Sequence, residues 1–70
     1  MSEFLRVLAL YYACDSAAAL RPLTAAEVAL CMGHYNAVKA HFAGETNVAR
    51  YRAFKSWEAA NGDIVAQLKR

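Results

Sequence analysis

The sequence has no glycine-rich loop, no CxxC or HxxxH pair, and no base at a useful spacing from Ser16 or Ser56. Each absence removes a chemistry. Isolated glycines build no backbone cradle for a phosphate, and Gly33, Gly44 and Gly62 read instead as a kink and helix ends. Cys31, His34 and His41 could point to one side of a helix, but only Cys14, on another helix, could join them, and zinc needs three or four converging ligands. A nucleophilic cysteine needs an electropositive, partly exposed setting, whereas Cys14 and Cys31 both lie in apolar stretches. The expectation is no enzyme, no cofactor and no metal.

Charge is also scarce. Eight basic and six acidic residues leave a net +2, too mild to require nucleic acid or an anionic membrane as partner. The longest apolar run, FLRVLALYYAC from Phe4 to Cys14, is well short of the 18 or so residues that span a bilayer. It lacks the basic flank and small-residue cleavage site of a signal peptide. The two cysteines show no framework spacing, so they read as reduced, buried thiols of a cytoplasmic protein.

Strand signals are missing too: there is no alternation, and Ala, Leu, Lys, Arg and Glu outnumber β-branched residues. What is present is helix punctuation. Ser2 can cap a first helix to about Ala19, where Arg21-Pro22 stops it. Thr24 with Glu27 is a capping box that opens a second helix, ended by Gly44 after Phe42-Ala43. Thr46 or Asn47 caps a third helix, Val48 to Ala60. Asn61-Gly62 offers a left-handed stop, and Asp63 starts a short helix from Ile64 to Lys69. The expected fold is all-α: one compact domain over residues 1–70, with three helices and a short fourth one at the C-terminus.

Two apolar seams organise the hairpin. Val28, Cys31, Tyr35, Val38 and Phe42 repeat at spacings of three and four along helix two, and Phe4, Val7, Tyr11, Cys14 and Ala18 do the same along helix one. Leu5, Leu8 and Tyr12 form a second stripe on helix one. A helix apolar on two sides needs two neighbours. Of the apolar residues sixteen are alanine, which bring little area, and a chain near this size buries only about 60% of its unfolded surface. Either helix three covers the second stripe, or another chain does. The second option is the expectation, making the protein a homodimer through Leu5, Leu8 and Tyr12.

Helix three mixes aromatics and cations: Tyr51, Phe54 and Trp57 alternate with Arg50, Arg52 and Lys55. Aromatics three residues apart drift around a helix, so some are half exposed. Such residues dominate the energetic centres of protein interfaces. Tyr12, Arg50, Arg52, Lys55 and Trp57 are therefore the candidate partner-binding residues.

The competing reading concerns helix two. LTAAEVALCMG, Leu23 to Gly33, resembles the first helix and turn of bacterial helix-turn-helix regulators, with a capped start, Ala29, and a glycine four residues later. The pattern departs after that: His34 follows the glycine, Lys39 stands where an aliphatic belongs, and Val38 and Phe42 come one residue early. The resemblance implies DNA contacts from His34, Asn36, Lys39 and His41, a set poor in the cations that phosphate binding uses. The preferred expectation is a helical protein-protein interaction module that regulates or inhibits a larger protein by occluding its surface. Small alanine-rich chains of this kind suit phages and other mobile elements. An assembly subunit is equally compatible, and a DNA-binding regulator is the alternative.

Overall fold

The computed structural model describes residues 2–70 as four helices, α1 (Glu3–Leu20), α2 (Ala25–Ala40), α3 (Asn47–Ala60) and α4 (Gly62–Leu68), with no strand among those residues. The all-α expectation holds. No helix among the described residues is long and apolar enough to cross a membrane.

The caps form where side chains can satisfy free backbone N–H groups. The Ser2 hydroxyl accepts from the Leu5 N–H at 3.1 Å, and the Thr46 hydroxyl accepts from Ala49 at 3.0 Å. At α2 the box is complete: the Glu27 N–H donates to the Thr24 hydroxyl at 3.2 Å, and the Thr24 N–H donates to the Glu27 carboxylate at 2.9 Å. Arg21, just beyond α1, donates to the same carboxylate. Its hydrogen bond, together with the cap, holds the Glu27 carboxyl down at about 2.

Two boundaries differ from expectation. α2 ends at Ala40, before Phe42, and Asn61-Gly62 makes no left-handed stop, since no described residue has a positive φ. The Asn61 side chain closes α3 instead, donating to the Trp57 carbonyl at 2.8 Å, and α4 starts at once from Gly62. At Gly44 the constraint is proximity: a Cβ would sit 3.0 Å from Ala49 Cβ and 3.1 Å from the Arg50 nitrogen, so a side chain there would push the turn and the start of α3 apart by a few tenths of an ångström.

α1 and α2 form an antiparallel hairpin, seam against seam. Phe4 meets Phe42 edge to face at 5.6 Å, Tyr11 meets Tyr35 at 5.4 Å, and Cys14 meets Cys31. The last pair is a disulfide, with Cα atoms 5.7 Å apart. This corrects the expectation of reduced thiols: facing positions on two antiparallel seams bring the sulfurs together.

α3 and α4 cover one side of the hairpin, α3 near the start of α1 and the end of α4 bordering Ser16, Ala17 and Leu20. Leu8, Tyr12, Val38 and Phe54 form the buried core, with Phe4, Phe42, Trp57, Val65 and Leu68 packed around it. The second stripe of α1 is therefore covered within the chain. Leu8 is 0% and Tyr12 3% exposed, so neither can form a contact between copies, and only Leu5 remains half-buried. The expected homodimer surface is corrected to an internal packing surface.

Candidate functional site

Beyond Cys14 the hairpin continues for about two turns; the end of α4 borders Ser16, Ala17 and Leu20 on one side, and the flank that faces away from it has no α3 or α4 residue over it. There the two helices enclose a cleft of about 280 Å³. Tyr11, Asp15 and Ala18 line it from α1, and Val28, Met32 and Tyr35 from α2, with the disulfide between them and Leu23 at the closed end. The lining follows from the seams themselves. Residues that would be sealed by α3 further along are left open here, with Val28 47% and Met32 52% exposed.

The cleft is apolar with a polar rim. The Tyr11 ring rests on Tyr35, Tyr12 and Phe54, which fixes its orientation. Burial, and after it the charge of Asp15, raises the Tyr11 phenol above its ordinary value, so it remains a neutral hydroxyl. Lys39 lies with its ammonium 4.6 Å from the centre of the Tyr35 ring, a cation-π distance. Among the described residues that line the cleft, Asp15 is the only acidic one. Such a cleft has the features that orient a ligand by shape: a large apolar floor, a flexible methionine, and a few polar groups at the edge.

The sequence-derived partner residues do not gather here. Tyr12 is in the core, its hydroxyl donating to Glu58 at 2.5 Å; burial and that carboxylate push its phenol well above the ordinary value. Lys55 pairs with Glu58 at 3.0 Å, and that interaction raises its ammonium's pKa. Arg50 is half-buried and donates to the Gly44 carbonyl at 3.1 Å, tying the turn to α3. Trp57 is half-buried, edge-on to Phe4 at 5.2 Å, and belongs to the border of the core. Arg52 alone of the five is exposed without a partner among the described residues.

The helix-turn-helix geometry does not form. α2 runs without interruption through Gly33, so the residues that would make a turn and a second helix belong to one straight-through element. His34 lines a cleft on one flank, His41 stacks on Phe4 at 3.9 Å, Lys39 lies over Tyr35, and Asn36 is exposed on the far side. These four share no face. Among the described residues no three His, Cys, Asp or Glu side chains converge, and bonded cysteines offer no thiolate.

Sequence reasoning missed Tyr11, Asp15, Val28, Met32 and Tyr35 as a site. A signal was available. The pairs Phe4 with Phe42 and Tyr11 with Tyr35 define a register that also faces Cys14 with Cys31, and it carries the seams past the reach of α3. No family model matches the chain, and no curated protein or solved structure is significantly similar to it.

Proposed function

We propose that the protein is a small helical binding module whose cleft between α1 and α2 receives an apolar segment of a larger protein, and that it acts by occluding that segment. The observation that carries the reading is the open continuation of the seam beyond Cys14: Val28 and Met32 are exposed beside Tyr11 and Tyr35, in a cleft of about 280 Å³ stapled by the disulfide. An amphipathic helix laid in such a groove is a recurrent recognition mode, and methionine and tyrosine adapt to it. Asp15 at the rim favours a partner with a basic residue beside its apolar anchors. The proposal is of a regulator or inhibitor that binds, with no catalytic step.

The disulfide also bears on where the protein works. The cytoplasmic expectation rested on free thiols, and a bonded pair favours an oxidising compartment.

The test compares proteins captured from nuclease-treated lysate of the source organism by the oxidised chain with those captured by Met32→Glu and Tyr35→Ala. Partners held by the wild type and lost by both variants support the reading. Identical capture by all three removes the cleft from the account.

A further inference from the structure

The Cys14–Cys31 bond is the wall between two clefts. Both cysteines border the partner cleft on the Tyr11–Met32 flank, and both also border a cleft of about 270 Å³ on the opposite flank, between Leu10, Ala13 and Ala17 of α1 and Leu30 and His34 of α2. Each is half-buried rather than sealed in the core. From Asp15 to Leu30, the segment that the bond closes, no residue is buried.

We infer that this bond is a redox switch for the partner cleft, resting on the reading of that cleft as the binding site and adding its regulation: the oxidised chain binds, and reduction by a dithiol releases the occupant. Access comes first. Disulfides that thiols can reach are the labile and regulatory ones, and the second cleft gives a small thiol a way in that a partner seated in the first does not block. In the exchange a thiolate of the dithiol attacks one sulfur, forming a mixed disulfide and expelling the other cysteine as a thiolate. The dithiol's second sulfur then displaces the first cysteine, so two electrons and two protons pass to the protein and the reductant leaves as a cyclic disulfide.

The consequence of opening falls on the cleft. Beyond the bond, α1 and α2 are joined by the loop from Arg21 to Thr24 and by the exposed Arg21–Glu27 ion pair, a class of contact that contributes little. The end of α4 borders α1 there and no residue of α2. Leu8, Tyr12, Val38 and Phe54 pack at the other end, so the core does not need the bond to hold its shape. Opening is also reversible by design. The chain has two cysteines, which allow one internal pairing, and the Phe4–Phe42 and Tyr11–Tyr35 contacts keep the register in which those two positions face each other.

The test equilibrates the full chain in mixtures of reduced and oxidised dithiothreitol. Free thiol is read by alkylation and mass, and cleft occupancy by the fluorescence of Nile red, an uncharged apolar dye, counting only the binding that Met32→Glu removes. That binding should weaken by about tenfold or more as the bond opens, since the loop constraint removed exceeds that factor. It should return on reoxidation, in step with the loss of free thiol, while the near-ultraviolet circular dichroism of the core rings stays unchanged. Cys14→Ala/Cys31→Ala should bind as weakly as the reduced chain in every mixture. Equal Met32-dependent binding in both redox states overturns the switch and leaves the cleft standing as a site. Dye binding to the oxidised chain that Met32→Glu does not touch removes the cleft reading, and the switch with it. A bond that stays closed in every mixture, or core rings that collapse when it opens, makes the disulfide a structural staple alone and also overturns the inference.

Discussion

The two ends of the α1–α2 hairpin are built on different principles. At the end where Phe4 meets Phe42, α3 packs over the pair, and the four buried residues among those described, Leu8, Tyr12, Val38 and Phe54, lie on that side of the Cys14–Cys31 bond. Stacked and edge-to-face rings fill the space: Phe4 on His41 at 3.9 Å, Phe4 on Trp57 at 5.2 Å, Phe42 on Phe54 at 5.7 Å. At the other end only the last residues of α4 come near α1, none of the described residues there is buried, and Leu20, Leu30 and Met32 face solvent. A chain this short has too few large apolar residues to close both ends. A covalent bond replaces a core where the core runs out, and it does so without filling the cleft it holds.

The sharpest way to break that contrast is to remove the core end. Phe54 is 0% exposed and touches Tyr11 and Phe42, so Phe54→Ala should cost about 3–5 kcal/mol. Urea denaturation of the oxidised protein would show a transition lost or moved to low denaturant. An effect under about 1 kcal/mol would mean that the aromatic end is not the source of stability.

Removing the staple comes next. The bond closes 17 residues, and the Cys14→Ala/Cys31→Ala double variant should lose about 3 kcal/mol by the chain-entropy account. Reduction with a dithiol should lower Tm similarly, and neither treatment should change the rings around Phe54, read by near-ultraviolet circular dichroism.

Tyr12 ties α1 to α3 within the core end, and its effect should be smaller. Tyr12→Phe deletes the hydrogen bond to half-buried Glu58 and should cost about 1–2 kcal/mol. The pH dependence has a definite sign. Because the folded state favours the neutral phenol, Tyr12's contribution is complete below its ordinary value of 10.0 and is lost as pH rises beyond it. Thermal melts in alkaline buffer should therefore fall more steeply for wild type than for Tyr12→Phe.

The smallest effect should be a gain. Gly33 lies within α2, and a Cβ there would meet nothing within 4 Å. Gly33→Ala should stabilise the protein by about 0.5–1 kcal/mol. A loss of stability would mean that α2 is not continuous at that point.

Local features of this fold were legible in the sequence. Ser2, Thr24 with Glu27, and Thr46 announce three helix starts through short-range hydrogen bonds, which depend only on neighbours along the chain. The two seams were legible for the same reason, since periodicity is local. What covers a seam is a tertiary fact. Leu8 and Tyr12 show a stripe in the sequence, but the carboxylate that satisfies Tyr12 is 46 residues away, so the stripe read equally well as an interface. The disulfide needed the register between seams rather than the spacing within either. Gly33 resembled a turn because glycine breaks helices in isolation, whereas here α2 stays helical through it, with the Val38 side of the helix packed into the core. The candidate cleft was illegible because it is defined by where α3 and α4 stop.

Amide hydrogen exchange of the oxidised and reduced protein, resolved by residue, tests the replacement of core by disulfide most directly. On reduction, protection should fall across residues 14–31 while residues 4–12, 35–40 and 48–60 keep theirs. Uniform loss along the chain, or no loss between Cys14 and Cys31, would contradict the account.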